Sequence, residues 1–360
     1  MANSMQKTVL IMAGGQGERF WPQSRKDLPK QFLPLTCNDR TMIQLTVDRM
    51  QSIVNPKNIF IVTNEVYKEL IKLQVPTVPD ENILYEPIGK NTAPSIGLGA
   101  VHIAKKYGDA VMMVLPCDHL IRSEKIFRSA MKEVCNVAEK SKVLVTIGIT
   151  PDHPETGYGY INFASDSFDG KSYKVKQFVE KPDLETAKKY IASDEYMWNS
   201  GMFAWKVSVI LDSMKKFLPD NYKHLVRIQN SIGTAKEAAV LKKEFSAMDS
   251  ESIDYGILER SENIRIVPGA FGWDDVGSWL SVGRLRECDE NGNVISGDVI
   301  EIGSNDCIIR ADKKLIAAVG LKNLVIVDSG DAILICSKDS TAEIKNVLKI
   351  LKENNRTDLL

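Results

Sequence analysis

A small group of cations follows three closely spaced glycines near the start of the chain. Gly14-Gly15-Gln16-Gly17 leads into Arg19, and Lys30 comes after a loop punctuated by Pro22 and Pro29. Glycine gives the main chain access to positive φ and lets a ligand approach the backbone directly. Successive amide N–H groups in such a turn form a concavity suited to phosphate oxygens. Arg19 and Lys30 would neutralise charge that the amides leave uncompensated. The same glycines also fit a plain strand-exit turn with solvated charges, so the loop alone leaves both readings open. Carboxylates from distant segments add a second element: Asp118, in Pro116-Cys117-Asp118-His119, and Asp275, in Gly272-Trp273-Asp274-Asp275-Val276-Gly277. Carboxylates facing a phosphate-lined edge suit Mg2+, which takes one or two of them and completes its shell with substrate phosphates and water. Each aspartate is equally a common turn former that bonds its own backbone. Lys181, between Glu180 and Pro182, is either an exposed ion pair of little energetic weight or a second phosphate anchor.

Other chemistries lack their signatures. The loop has neither the Gly-Lys-Ser/Thr of an NTPase phosphate loop nor the G-x-G-x-x-G spacing of a dinucleotide site. No Gly-x-Ser-x-Gly or His-Glu-x-x-His occurs, so His119 reads as structural. Phosphoryl transfer remains, and it asks the protein for positioning and cations rather than covalent work.

Short apolar runs alternating with helical patterns would hold these residues in place. Residues 9–12 form a continuous apolar run ahead of the glycines, and runs at 58–62, 83–85, 110–115 and 143–149 repeat the pattern. Thr41 with Gln44 is a capping box opening a helix whose inner face carries Ile43, Val47 and Met50. A second helix is expected near 65–74. Thr92 is expected to cap a third, with Pro94 tolerated early and Ile96, Ala100 and Ile103 turned inward. Such alternation predicts an α/β, doubly wound, mainly parallel sheet, whose ligands sit beyond the carboxyl ends of its strands. The glycine loop, the turn from Glu86 and Pro87 to Asn91, and Asp118 are all expected at that edge.

The pattern then changes. Thr156-Gly157-Tyr158-Gly159, the end of 174–179 at Glu180-Lys181, and Asn199-Ser200-Gly201 read as strand ends of a substrate-facing lobe, and 207–247 reads as helical scaffold. From about 292, apolar clusters separated by turns predict a small solenoid-like β unit closed by a helix over 340–352. No low-complexity linker sets this unit apart, so a packed interface is expected. The 360 residues are 44% hydrophobic and 26% charged with a net charge of −1. That balance supports a substantial core and excludes a general positive field for nucleic acid or acidic membranes. The C-terminal unit also lacks a basic stripe with interleaved aromatics. No apolar run approaches ~18 residues and residues 1–7 lack a signal-peptide core, so no membrane association and a cytoplasmic location are expected. Cys37, Cys117, Cys135, Cys288, Cys307 and Cys336 form no C-x-x-C pair and read as buried, reduced thiols.

GGQGERFWPQSR, PKQFL, EPIGKNTAPSI, LPCDHLI, TGYGYI, FVEKP, WNSGMFAW and GWDDVGSW occur in that order. Together they resemble the mannose-1-phosphate guanylyltransferases, within the sugar nucleotidyltransferases, from residue 8 to about 340. The resemblance implies a Rossmann-like nucleotidyltransferase domain at 1–288, with a mainly parallel mixed sheet. At 289–360 it implies a small left-handed β-helix-like unit that often supports homodimers in that family. It implies transfer of GMP from GTP to mannose 1-phosphate with Mg2+, by direct attack on the α-phosphorus. By the same resemblance Ala13, Gly14, Gly15 and Gly17 line the nucleotide, while Arg19 and Lys30 stabilise the leaving pyrophosphate. Glu86, Pro87 and Asn91 lie near guanine and ribose, and Asp118 and Asp275 hold the metal. Gly157, Glu180, Asn199 and Gly201 face mannose, and Lys181 meets the sugar phosphate. The nearest alternative is a uridylyl- or thymidylyltransferase acting on glucose 1-phosphate. A non-catalytic binding subunit would be expected to have lost Arg19, Lys30 or a metal aspartate. Three departures stand out. Glu18 replaces the usual threonine or serine, Asp274 stands where serine is common, and a chain of this length has no isomerase domain, so guanylyl transfer alone is expected.

Overall fold

The computed structural model describes residues 5–36 and 39–360. Two compact units result, one from 5–14, 47–117 and 121–273, the other from 15–36, 39–46, 118–120 and 274–360.

In the first unit, β1 (Lys7–Ala13), β2 (Ile59–Asn64), β3 (Ile83–Glu86) and β4 (Val111–Pro116) run parallel in the order β3-β2-β1-β4. Their near-unbroken apolar residues are buried on both faces, as a parallel sheet requires. β5 (Leu120–Ile121) is a two-residue segment outside this sheet. The other half contains β6 (Leu144–Ile149), β7 (Gly159–Ala164), β8 (Tyr173–Glu180), β9 (Tyr196–Lys206) and β10 (Ile264–Gly269). The complete order is β3-β2-β1-β4-β9-β6-β10-β8-β7. β9 runs antiparallel to both β4 and β6, and β7 and β8 pair antiparallel. The sheet is therefore mixed, as the resemblance implies, but not mainly parallel: β9, β8 and β7 bring in antiparallel pairings. A strand's direction is set by its partners, and an apolar run carries no mark of it.

Two local expectations are also corrected. Asn199-Ser200-Gly201 lies inside β9, not at a strand end, where the register against β6 shifts between Thr146 and Gly148. Asn91, not Thr92, caps the helix Thr92–Tyr107: its side chain accepts from Thr92 N at 2.8 Å. Thr92 Oγ1 instead accepts from Ile253 N at 2.8 Å. Ile96, Ala100 and Ile103 are buried as the periodicity predicts.

The second unit begins with the glycine-loop segment. β11 (Trp273–Asp274) and the helix Trp279–Leu285 lead to β12 (Val294–Ser296), β13 (Val299–Ile302), β14 (Ile308–Arg310), β15 (Ile316–Val319), β16 (Leu324–Asp328) and β17 (Ile333–Ser337). β12, β14 and β16 stack in parallel, β13 and β15 form a second parallel pair, and β17 closes the first stack antiparallel. From β12 to β16 successive strands alternate between the two stacks, which is a β-helix-like coil. Cys307, Ile309, Ala318 and Ile326 fill the space between the two stacks, while the outer face of the first stack packs elsewhere. Phe20, Trp21, Leu33 and Leu35 share one core with Trp279, Val294, Val325 and Leu348, so the β unit is packed directly against residues far earlier in the chain. Trp21 Nε1 donates to Leu359 O at 2.8 Å, and Arg25 pairs with Asp331 at 2.7 Å. The capping box forms as expected, with Thr41 N donating to Gln44 Oε1 at 3.0 Å ahead of the helix Met42–Gln51.

All five cysteines among the described residues are free, but Cys288 is exposed and Cys336 half-buried, which corrects the expectation of uniformly buried thiols. Cys37 lies outside the described residues. Among the described residues no helix is long and apolar enough to cross a membrane.

Candidate active site

In the second unit the glycine turn is shaped by Gly17, which sits at φ 64°, ψ 32°. A Cβ at this position would overlap Lys30 Cβ, so both the positive φ and the close approach require glycine. Ser24 Oγ donates to Gly17 O at 2.7 Å, and Phe20 N donates to the same carbonyl at 2.9 Å, locking the turn. No α-helix follows; the chain makes two short 3-10 turns, Glu18–Phe20 and Lys30–Phe32. Lys30 is only 6% exposed. Its ammonium donates to Asp118 Oδ2 at 2.9 Å and to Asp275 O at 2.8 Å, and lies over the Phe20 ring. A buried charge persists where it is paired and hydrogen-bonded, and Lys30 meets that condition.

The second unit therefore brings together Gly17, Arg19, Lys30 and Asp118, which line a hollow of about 430 Å³ with Gln16, Glu18, Phe20, Gly277 and Lys345. Burial alone would raise the Asp118 pKa, but the Lys30 ammonium, aided by His119, outweighs it and holds the carboxylate below its usual range. His119 is itself pushed down, chiefly by burial, against the pull of Asp118. The two turn aspartates differ. Asp274 accepts from Val276 N at 2.7 Å and pairs with Arg284 at 3.0 Å. Asp275 Oδ1 accepts from Gly277 N at 2.9 Å. Among the described residues no group of three or more His, Cys, Asp or Glu is arranged as a metal cage.

The first unit carries the remaining candidates in two places. At the carboxyl edge of β1 and β3, Gly14 lies beside Glu86, which is buried at 5% exposure and accepts from Ser95 Oγ. Burial pushes the Glu86 pKa up to about 7, against the Ser95 hydrogen bond. Ala13 O accepts from Thr63 Oγ1 at 2.8 Å, Pro87 is half-buried, and Asn91 is exposed at φ 69°. Around the end of β8, Lys181 pairs with Glu180 at 2.9 Å with 61% of its side chain exposed. A Cβ on Gly159 would overlap Glu180 Oε2. Asn199 Nδ2 donates to Asp254 Oδ1 at 2.8 Å, and Asn199 Oδ1 accepts from Gly201 N at 3.1 Å. Gly157 N donates to Glu155 Oε1 at 2.8 Å.

The nucleotidyl transferase family model matches residues 8–291, and a MannoseP isomerase/GMP-like β-helix domain model matches 297–351. The chain belongs to the nucleotidyl transferase family. This nucleotidyltransferase is 39% identical over 356 residues to a mannose-1-phosphate guanylyltransferase of Escherichia coli, covering 96% of this chain and 74% of that protein. It is 37% identical over 357 residues to one from Salmonella montevideo, covering 97% and 74%. A crystal structure of a Thermus thermophilus protein, described as a mannose-1-phosphate geranyltransferase, superposes with a TM-score of 0.88. That match is at 32% identity and covers 97% of this chain and 100% of that one.

Sequence reasoning missed Asp254 in this nucleotidyltransferase. Burial, then the nearby Glu180 carboxylate, pushes its pKa up to about 6. The only signal was an acid amid the apolar residues of 253–258, which form a π-helical turn at Asp254–Leu258.

Proposed function

We propose that the chain transfers GMP from GTP to α-D-mannose 1-phosphate, releasing pyrophosphate and GDP-mannose, by direct in-line displacement. A phosphate oxygen of the sugar phosphate attacks the α-phosphorus, and the bond to the β-phosphate oxygen breaks. The observation that carries this reading is Lys30, buried and fixed against Asp118 and the Asp275 carbonyl beside the Gly17 turn and Arg19. Donors already in place where charge develops need no reorganisation during the reaction. Amides of 14–17 take the triphosphate, and Arg19 and Lys30 take charge on the departing pyrophosphate. Ala13, Glu86, Pro87 and Asn91 belong to the nucleotide side. Gly157, Glu180, Asn199 and Gly201 belong to the mannose side, and Lys181 takes the sugar phosphate.

Asp118 and Asp275 would hold Mg2+. Two carboxylates with no third protein ligand suit an ion that borrows the rest of its shell from phosphates and water, and the lowered Asp118 pKa keeps that ligand ionised. Bound there, the ion would supply positive charge to the phosphates. The Arg284 ion pair of Asp274 favours Asp275 as the ligand. We assign residues 1–288 to catalysis and 289–360 to the left-handed β-helix-like unit. Exposed Ile300, Ile302 and Val319 on β13 and β15 support a homodimer through that unit.

The test is pyrophosphate release across a matrix of nucleoside triphosphates and hexose 1-phosphates. GTP with mannose 1-phosphate should dominate. Preference for UTP or dTTP with glucose 1-phosphate would overturn the reading in favour of that alternative.

A further inference from the structure

We infer that Lys345, contributed by the C-terminal unit, binds the β- and γ-phosphates of the nucleotide and the pyrophosphate they become. The inference rests on the guanylyl-transfer reading and adds a residue to it. Lys345 lines the same hollow as Gly17, Arg19 and Lys30. It is the second residue of the helix Ile344–Glu353. Ile344 and Leu348, on either side of it, are buried in the core that also holds Phe20 and Trp21. The backbone carrying Lys345 is thus fixed relative to the glycine turn.

The distribution of donors makes the case. Lys30 already gives two of its three N–H donors to Asp118 and the Asp275 carbonyl, and Glu18 and Asp118 add negative charge to the lining. A polyphosphate entering the hollow therefore needs cations in addition to Lys30. Arg19 and Lys345 are exposed, and among the described residues neither side chain has a hydrogen-bond or ion-pair partner. A lysine ammonium is a compact charge with three donors on a flexible stem, able to follow pyrophosphate as it separates from the α-phosphorus. Glu18 stands beside Arg19 in the same lining, and Lys345 offsets its charge.

The experiment compares Lys345→Gln, Lys345→Arg and Lys349→Gln with the unaltered chain. Lys349, one turn along the same helix, reaches Glu353 at 4.0 Å and does not line the hollow. Its substitution removes the same charge from the same helix. Loss of a hydrogen bond to a charged group predicts about a tenfold or greater rise in KM for GTP, and for pyrophosphate in the reverse reaction, in Lys345→Gln. KM for mannose 1-phosphate should not move, Lys345→Arg should recover most of the loss, and Lys349→Gln should match the unaltered chain. A pyrophosphate KM within about twofold in Lys345→Gln, or an equal loss in Lys349→Gln, would overturn the inference while leaving guanylyl transfer intact. Absence of any turnover in the unaltered chain would remove the reading itself. Calorimetric titration with inorganic pyrophosphate would then still decide whether Lys345 binds it.

Discussion

Asp118 and Asp254 are both half-buried aspartates, one in each compact unit, and their surroundings drive them in opposite directions. Asp118 has an ammonium at 2.9 Å and is held ionised. Asp254 has a neutral amide at 2.8 Å and the Glu180 carboxylate nearby, and retains its proton up to about pH 6. Burial penalises the charged form in both cases; the neighbour decides the outcome. The second unit therefore keeps a fixed, paired charge at Asp118 and Lys30. The first unit's Asn199–Asp254 pair instead joins an amide to a carboxyl whose ionisation is held back until about pH 6.

The largest test of this contrast is Arg19→Ala. Loss of a transition-state charge contact is worth at least ~10² in turnover, so kcat should fall by about that much while folding, followed by thermal melting, stays intact. Near-wild-type turnover would remove Arg19 from the charged set. A second test separates the adjacent carboxylates. Asp275→Asn should raise the Mg2+ concentration for half-maximal activity by about tenfold or more. Asp274→Asn should cost only its partly exposed ion pair, less than about 1 kcal/mol. The reverse order would reassign the metal ligand.

The third test addresses the protonated side alone. Asp254 and Glu86 have folded-state pKa values of about 6 and about 7, above their ordinary ranges. Each therefore contributes stability that is fully present below about pH 4. That stability is lost as pH rises through about 6 for Asp254 and about 7 for Glu86. A displacement of roughly two in pKa corresponds to up to about 3 kcal/mol. Urea unfolding of Asp254→Asn and Glu86→Gln should accordingly show a smaller fall between about pH 5 and about pH 8 than the unaltered chain. Parallel pH profiles would mean that these carboxyls are solvated after all.

Local chemistry was readable wherever a residue acts on its immediate neighbours. The Thr41–Gln44 box and the apolar runs that became β1–β4 both follow from side chains acting over a few positions. Direction and partnership were not readable in the same way. β9 turns the sheet mixed through its pairing with β4 and β6. Asn91, not Thr92, is the cap, and the threonine hydroxyl meets Ile253, far along the chain. At the candidate site, the glycines, Arg19, Lys30 and the aspartates were visible by type. That Lys30 is buried, and that Asp254 stands behind Asn199, depends on contacts across 88 and 55 positions.

The shared core of the second unit bears on how the molecule is made. The glycine-loop segment leaves the ribosome early, but Trp279, Val294, Val325 and Leu348, on which Phe20 and Trp21 rest, are translated only after the entire nine-stranded sheet. Until they arrive the loop has no floor beneath its aromatic residues. The nascent chain therefore finishes its scaffold first, and the glycine turn sets only when the last coils are in place.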